Sequence, residues 1–174
     1  NDADSDGSGM VPNNMYNGNI SAGGTGSGNI INGINDGAQS YWEAYWNGIW
    51  YCSYFLSRIN TANVTNEQDR QRWKAEAHVL RAFYYMSLMR LHGTKLPVRN
   101  EDISNVKPAS ITELTDFILS DCDSAINTDA LPWRITTSAE QQRVTKAVAW
   151  AIKSRVMLYA ASPLYNGGNN LWDK

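Results

Sequence analysis

Residues 73–88 read WKAEAHVLRAFYYMSL, and this stretch decides the fold. Apolar side chains recur in it at intervals of three and four residues, without glycine or proline, which is typical of an amphipathic α-helix. The wider segment from Thr65 to His92 carries two such apolar stripes and is predicted to form one long helix. The first stripe contains Trp73, Ala77, Leu80, Tyr84, Leu88 and Leu91, and the second contains Val79, Ala82, Met86 and Met89.

Both ends of this helix carry boundary signals. Thr65-Asn66-Glu67-Gln68 has the form of a capping box, in which the first and fourth residues satisfy each other's backbone N–H groups. Gly93 follows the last periodic residues and Pro97 comes soon afterwards, which indicates that the helix ends at about His92.

Three further segments are predicted to be helical. The first runs from about Asp36 to Asn60, the next begins with a capping box at Ser110–Glu113, and the last runs from about Thr145 to Pro163. The short gap between the first two helices predicts that they are antiparallel neighbours. The residues expected to be buried in the two later helices are Ile111, Leu114, Ile118, Cys122, Ala125, and then Val144, Val148, Ile152, Val156, Tyr159.

The residues before the first helix differ in composition from the rest. Nine of the 13 glycines lie at or before Gly37. Such a sequence supplies turns and few side chains to pack, so residues 1–35 are predicted to be an irregular loop region. Short strands are expected only around Met10–Val11 and Asn29–Ile31, and residues 36–174 are expected to form helix pairs of tetratricopeptide type.

Composition excludes several classes of protein. The 174 residues carry a formal net charge of −2, which is not the basic surplus of a nucleic-acid-binding protein. No uninterrupted apolar run is long enough to span a bilayer. Cys52 and Cys122 lie 70 positions apart in apolar helical patterns, so both are expected to be free and buried rather than metal-bound or paired.

The sequence contains few signs of catalysis. It has no phosphate-binding Gly-Lys loop and no G-x-S-x-G motif. His78 and His92 are too far apart to form a zinc pair, and the acids Asp121 and Asp123 are predicted to lie in solvent. We therefore expect no enzyme and no cofactor. One alternative stays open, because Asp2, Asp4 and Asp6 are spaced like the start of a calcium-binding loop, although Asn13 stands where the loop needs a glutamate.

Residues 41–55 are unusually rich in aromatic side chains, which make up eight of the 15 positions. On a helix these positions surround the axis, so they cannot all enter one core. Trp42, Trp46 and Ile49 are predicted to point inward. The other rings are expected to meet another part of the protein, a partner or a sugar, because sugar rings stack on indole and phenol faces.

Four motifs, three of them on predicted helices and one in the segment after the second helix, resemble one known family. Residues 73–88 resemble the hallmark aEarfLRAyyyf.L of SusD/RagB-like outer-membrane nutrient-binding lipoproteins, and residues 93–98 are similar to its yG.vPl motif. Residues 42–56 and 144–159 resemble two further motifs in the family's order, although Trp46 and Ser53 replace the usual tyrosine and asparagine. The resemblance covers residues 38–166.

This resemblance implies an all-α fold of tetratricopeptide-like helix pairs and a non-catalytic function. Family members bind glycans, or in some branches peptides, on the extracellular face of the outer membrane, and deliver them to a SusC-type TonB-dependent transporter. The lipid anchor and the later helices of such a protein are not found in this segment. We therefore expect it to be an N-terminal piece accompanied by the remainder of its chain, with no nucleic-acid partner. A tetratricopeptide-type scaffold for protein or peptide partners is the alternative.

The resemblance also suggests roles for individual residues. Glu76, Arg81 and Arg155 belong to the motifs and are expected to form internal ion pairs or bind helix-end carbonyls. In the starch-binding branch, ligand contacts come partly from the start of the first helix. By this analogy, together with the Gly-rich tail, the candidate ligand-binding residues are Asn35, Asp36, Tyr41, Trp42, Tyr165, Asn166 and Trp172.

Overall fold

The computed structural model describes the backbone of residues 30–93, 96–98 and 107–166, and side chains from Trp42 onward within these ranges. These residues form α-helices and one 3-10 turn (Ser138–Glu140), with no strand among them, which confirms the all-α prediction. None of the described helices is both long and apolar enough to cross a membrane. The helices are α1 (Ile30–Arg58), α2 (Glu67–His92), α3 (Ile111–Ile126), α4 (Lys146–Ala161) and α5 (Pro163–Asn166).

The chain forms two compact units, residues 1–44 and 45–174. In the first unit the structure describes the beginning of α1, which starts at Ile30 rather than at about Asp36. The loop prediction therefore fails for residues 30–35, and the strand prediction fails for Ile30 and Ile31. Ile30, Ile31 and Ile34 already have helical spacing, which outweighs the weak helix propensity of the intervening glycine and asparagine. Residues 1–29 lie outside the described residues.

In the second unit, the C-terminal half of α1 packs antiparallel to α2, as predicted. Trp46 contacts Tyr85 near one end, with ring centroids 5.8 Å apart. Arg70 near the start of α2 binds the carbonyl of Ile59 at the other end. Trp46 and Ile49 are buried, as predicted, whereas Trp42 in the first unit is 37% exposed. The prediction that Trp42 is buried was wrong, because helical periodicity gives the direction of a side chain but not how much of it is covered.

The ends of α2 differ slightly from the prediction. Asn66 is the N-cap, and its side chain accepts a hydrogen bond from the N–H of Gln68 over 3.0 Å, so the Thr65 capping box does not form. Gly93 ends the helix as predicted. Its φ of +82° favours glycine, and its N–H donates to the carbonyl of Met89.

The core face of α2 follows its second stripe rather than its first. Trp73 and Leu91, the two ends of the first stripe, are exposed. α2 contacts α1, α3 and α4, and its buried arc is centred on the second stripe, whose four residues are all buried. The buried residues of α2 are Ala75, Ala77, Val79, Ala82, Tyr85, Met86, Ser87, Leu88 and Met89.

The third predicted helix is confirmed in detail as α3. Ser110 and Glu113 form the expected capping box, in which the Ser110 N–H donates to the Glu113 carboxylate over 2.7 Å. All five of the apolar residues predicted to be buried are buried. Tyr85 of α2 lies against Phe117, with centroids 5.2 Å apart, so α3 continues the helix array.

α4 packs against α3 and α2 through a narrower face than predicted. Ile152 and Val156 are buried, but Val148 is 38% exposed. Ala149 and Ala160 take part in the core, because small side chains allow the helices to approach closely. Pro163 ends α4 as predicted and also begins α5, where its fixed φ suits the first helical position.

Candidate functional site

The predicted ligand-binding residues of the first unit lie on α1. Asn35, Asp36 and Tyr41 are in this helix, and their side chains are outside the described residues. The side chain of Trp42 is partly exposed, at 37%. Trp172 and the acidic residues Asp2, Asp4 and Asp6 are also outside the described residues. The ligand and calcium predictions for these positions therefore stay predictions.

Tyr165 and Asn166 in the second unit serve the packing of α5. The Tyr165 hydroxyl donates to the carbonyl of Met89 over 3.4 Å, and its ring lies edge-on to Tyr159. Asn166 is only 3% exposed. The structure therefore places the side chain of Asn166 in the interior of the described residues, and the ligand predictions for Tyr165 and Asn166 stay predictions.

A buried ion pair joins α2 and α3 where the sequence analysis expected solvent. Asp121 is 3% exposed, so the prediction that it is solvated was wrong. Arg81 grips its carboxylate with two hydrogen bonds, Nε–Oδ2 at 2.8 Å and Nη2–Oδ1 at 2.7 Å. Burial by itself would lower the pKa of Arg81, but the bonds to Asp121 outweigh it and raise the pKa. The guanidinium therefore stays charged in the folded chain.

Two more side chains complete this cluster. His78 Nδ1 lies 2.7 Å from Asp121 Oδ1, and Arg81 donates to the hydroxyl of Ser53 on α1 over 3.1 Å. The Arg81 guanidinium also lies over the ring of Phe117, 4.9 Å from its centroid. The carboxylate oxygens of Asp121 are already bonded to Arg81 and His78. The cluster therefore serves to fix α1, α2 and α3 to one another rather than to bind a substrate.

The other two motif residues behave differently from each other. Glu76 accepts from Arg143 (Nε–Oε1 2.9 Å, Nη2–Oε2 2.6 Å) and from Arg72 at 3.2 Å, and the bond to Glu76 raises the pKa of Arg143. Glu76 thereby links α2 to the segment before α4. Arg155 is exposed and makes no ion pair within the described part of the chain, contrary to its predicted role. Helical periodicity predicted that Arg155 lies beside the core. The buried face of α4 is narrow, however, so the neighbouring position of Arg155 is exposed.

The cysteines are free and buried, as predicted. Burial raises the pKa of Cys52 to about 11 and that of Cys122 to about 12, so both thiols stay protonated and are poor nucleophiles. Over the residues that the structure describes, no group of three histidine, cysteine or acidic side chains is arranged to hold a metal.

The outward face of α1 in the second unit carries a cluster of aromatic rings. We call Trp50, Tyr51, Tyr54 and Arg58 the α1 aromatic surface. Trp50 and Tyr54 are stacked, with centroids 5.3 Å apart and planes at 16°, and Tyr51 lies edge-on to Trp50 at 5.1 Å. The Arg58 guanidinium lies 5.3 Å from the centroid of Tyr54. The three rings are 47%, 65% and 46% exposed in chain order.

The sequence showed that some rings of this helix must face outward but not which ones. The helical period distinguishes the inward positions Trp46 and Ile49 from the outward Trp50 and Tyr54 only once one buried residue is known. Burial of Asp121 was also visible in principle, since it follows Ile118 by three positions on the apolar stripe of α3. A buried carboxylate on such a stripe needs a positively charged or hydrogen-bonding partner. Arg81 is a candidate partner, because it interrupts the apolar pattern of α2 in the same way.

Comparison with known proteins places this architecture in one family. A SusD-like family model, described as starch-binding and associating with the outer membrane, matches residues 4–158. A SusD-like protein from Bacteroides fragilis NCTC 9343 has a solved structure that is 32% identical (TM-score 0.61), with 70% of this chain and 24% of that chain covered. No curated protein matches the chain.

Two further solved structures are similar. Surface glycan-binding protein A from Bacteroides fluxus is 25% identical, with a TM-score of 0.62 and coverage of 68% of this chain and 25% of that chain. A laminarin-binding SusD-like protein is 26% identical, with a TM-score of 0.60 and coverage of 69% and 26%. The chain thus spans about a quarter of each of these structures. With the family model covering most of its length, the chain belongs to the SusD-like family.

Proposed function

We propose that this chain is part of a non-catalytic protein that captures glycans at the surface of the outer membrane. The observation that carries the proposal is the family match over residues 4–158, supported by the similarity to a laminarin-binding relative. The described residues agree with a binding role. The carboxylate of the buried Asp121 is already bonded to Arg81 and His78, and both thiols are protonated. The exposed surface is rich in tryptophan and tyrosine.

Glycan binding is tested directly by affinity electrophoresis in native gels that contain laminarin or starch. We expect at least one polysaccharide to retard the protein relative to a non-binding standard, and titration with laminarihexaose to give a saturable heat signal if laminarin is retained. Reducing ends should not increase over time, because no cleavage is expected. A folded protein that no polysaccharide in a broad panel retards would refute this function, and binding to peptides alone would favour the scaffold alternative.

Delivery to a SusC-type TonB-dependent transporter and attachment by a lipid anchor are the finer parts of the proposal. They follow from the family and concern the whole protein, of which this chain covers a limited part. Purification of the transporter from outer membranes under mild detergent should recover this protein with it. A transporter that purifies without it, while glycan binding is intact, would contradict delivery and leave capture in place.

A further inference from the structure

We propose that the α1 aromatic surface is a stacking subsite for a glycan chain. This inference rests on the proposed function and gives it a location. It concerns Trp50, Tyr51, Tyr54 and Arg58. The three rings belong to the outward group that the sequence analysis left open between another part of the protein, a partner and a sugar, and the structure now shows which rings these are.

The first support is the composition of the exposed face. The outward side of a helix in a water-facing protein is normally charged, but here the outward positions from Asn47 to Arg58 carry three large rings and a single charge. The rings are not needed for the core, because Trp46, Ile49 and Cys52 fill that role on the opposite side. Exposed aromatic side chains in such density are typical of binding surfaces.

The second support is that the rings are already ordered. Trp50 and Tyr54 are stacked at 5.3 Å, and Tyr51 braces Trp50 from the side at 5.1 Å. Arg58 holds Tyr54 from the next helical turn. Rings that are fixed by their neighbours lose little conformational entropy when a ligand binds. Less of the binding free energy is then spent on ordering them, so the same contact area gives a higher affinity.

The third support distinguishes a glycan from a protein segment as the occupant. The exposed apolar side chains of α4 are of mixed kind: Trp150 stands alone as a ring, whereas Val148 and Leu158 are aliphatic and suit helix packing. The α1 aromatic surface has no exposed aliphatic side chain of that kind. Its rings combine apolar faces with polar edges, and Arg58 and Asn47 add hydrogen-bond donors. A pyranose presents the complementary combination of weakly positive C–H bonds on its faces and hydroxyls at its rim.

The test compares single variants in the affinity gels that show binding of the wild-type protein. Trp50→Ala and Tyr54→Ala should each weaken binding by about tenfold or more, which corresponds to the loss of one good contact. Trp50→Phe should retain most of the affinity, because a flat ring remains. The matched control is Trp150→Ala on α4, since Trp150 is also a helical tryptophan with 47% exposure, and this variant should bind as the wild type does.

The outcomes separate this inference from the proposed function. Wild-type protein that binds no glycan overturns both. Wild-type binding with unchanged affinity in Trp50→Ala and Tyr54→Ala overturns the subsite alone and leaves glycan capture standing. Because the circular dichroism spectrum and unfolding midpoint report folding, only variants that match the wild type in both are compared. Tyr51→Ser, at the most exposed ring, is available if another variant fails that check.

Discussion

A single buried carboxylate, that of Asp121, connects the chemistry of this chain to its architecture. Its side chain is 4% exposed, and that of its partner Arg81 is 11% exposed. A buried pair of this kind adds little net stability compared with apolar residues of the same size. Losing one member is costly, because the other charge then stays buried without a partner.

Replacing Arg81 by leucine should therefore lower the free energy of unfolding by about 3–5 kcal/mol. Urea denaturation followed by circular dichroism measures the change. The matched control is Arg155→Leu, which removes an exposed arginine without an ion pair in the described residues and should change stability by less than about 0.5 kcal/mol. Equal effects of the two substitutions would show that the Arg81–Asp121 pair is not a structural link.

The two thiols should be unreactive in the folded protein. With the pKa of Cys52 raised to about 11 and that of Cys122 to about 12, almost no thiolate exists at mildly alkaline pH. Titration with a chromogenic disulfide reagent should detect no thiol in native buffer and both thiols in guanidinium chloride. Rapid labelling of either cysteine without denaturant would contradict the burial seen in the structure.

At the scale of single residues, the sequence predicted which side chains are buried better than it predicted which side chains bond to each other. The positions of Cys52, Cys122 and Ile118 followed from helical periodicity. The bond between Arg81 and Asp121 did not, because it joins residues 40 positions apart and depends on the register between two helices. Local patterns contain no information on that register.

At the scale of helices, the capping box at the N-terminus of α3 makes a contribution to stability that depends on pH. Backbone and side-chain hydrogen bonds from Ser110 lower the pKa of Glu113 below its ordinary value. A lowered pKa in the folded state means that the ionised form stabilises the fold. This contribution is complete above the pKa of the unfolded chain and is lost as the pH falls through the lower folded value.

Glu113→Gln should accordingly be less stable than the wild type at neutral pH. The difference between their thermal midpoints should shrink as the buffer is made more acidic, since the wild-type carboxylate then becomes neutral as well. Melting curves of both proteins across a series of acidic buffers provide the measurement. A difference that stays constant over the series would show that the charge of Glu113 has no part in the cap.

The contact between α1 and α2 depends on the absence of a side chain at Gly48. A Cβ atom there would lie 2.5 Å from Cε2 of Tyr84, whose ring is packed against Tyr45 with centroids 5.8 Å apart. Alanine would gain about 1 kcal/mol of helix propensity. Overpacking costs about 1–3 kcal/mol, so the clash should prevail.

Gly48→Ala is therefore expected to destabilise the protein in urea denaturation. In a Tyr84→Ala background the clash is absent, and the same substitution should become neutral or stabilising by up to about 1 kcal/mol. The change of sign between backgrounds is the informative result. Identical effects in both backgrounds would mean that the two helices are not in close contact at Gly48.

The ease with which each helix was predicted follows from the strength of its boundary signals. α3 has a serine cap, a glutamate three positions later and one apolar stripe, and all of these were identified correctly. α1 has no comparable signal before Asp36, and its start at Ile30 was missed. Strong local chemistry fixes a helix end, whereas weak signals leave it to packing that the sequence does not reveal.

At the scale of the whole molecule, α4 has apolar side chains on all sides. Its inner face packs against α2 and α3, while Val148 and Leu158 remain 38% and 70% exposed. Although α4 also carries Lys153, Ser154 and Arg155, exposed apolar side chains of this size normally lie against another surface. Since the chain spans about a quarter of its solved relatives, the expectation that further chain covers this face stays a prediction.

Because an exposed apolar face favours association, we expect this chain on its own to self-associate, and adding a charge to the α4 face should reduce that association without affecting the fold. Leu158→Lys is expected to bind less hydrophobic dye and to sediment with a smaller apparent mass, while its free energy of unfolding changes by less than about 0.5 kcal/mol. Thr136→Lys, in an exposed loop, adds the same charge elsewhere and should leave association unchanged. If both variants reduce association equally, net charge rather than the α4 face is responsible.

Arg70 fixes the turn between α1 and α2 through several hydrogen bonds to its backbone. Its guanidinium donates to the carbonyls of Ile59, Asn60, Ala62 and Val64 over distances of 2.8–3.2 Å. The backbone of this turn is therefore not available to adopt the extended form that a protease requires, although it lies on the surface. Epitope tags and inserted domains are better placed between the exposed residues Trp133 and Arg134, ahead of the segment that Arg143 ties to Glu76, than in this turn.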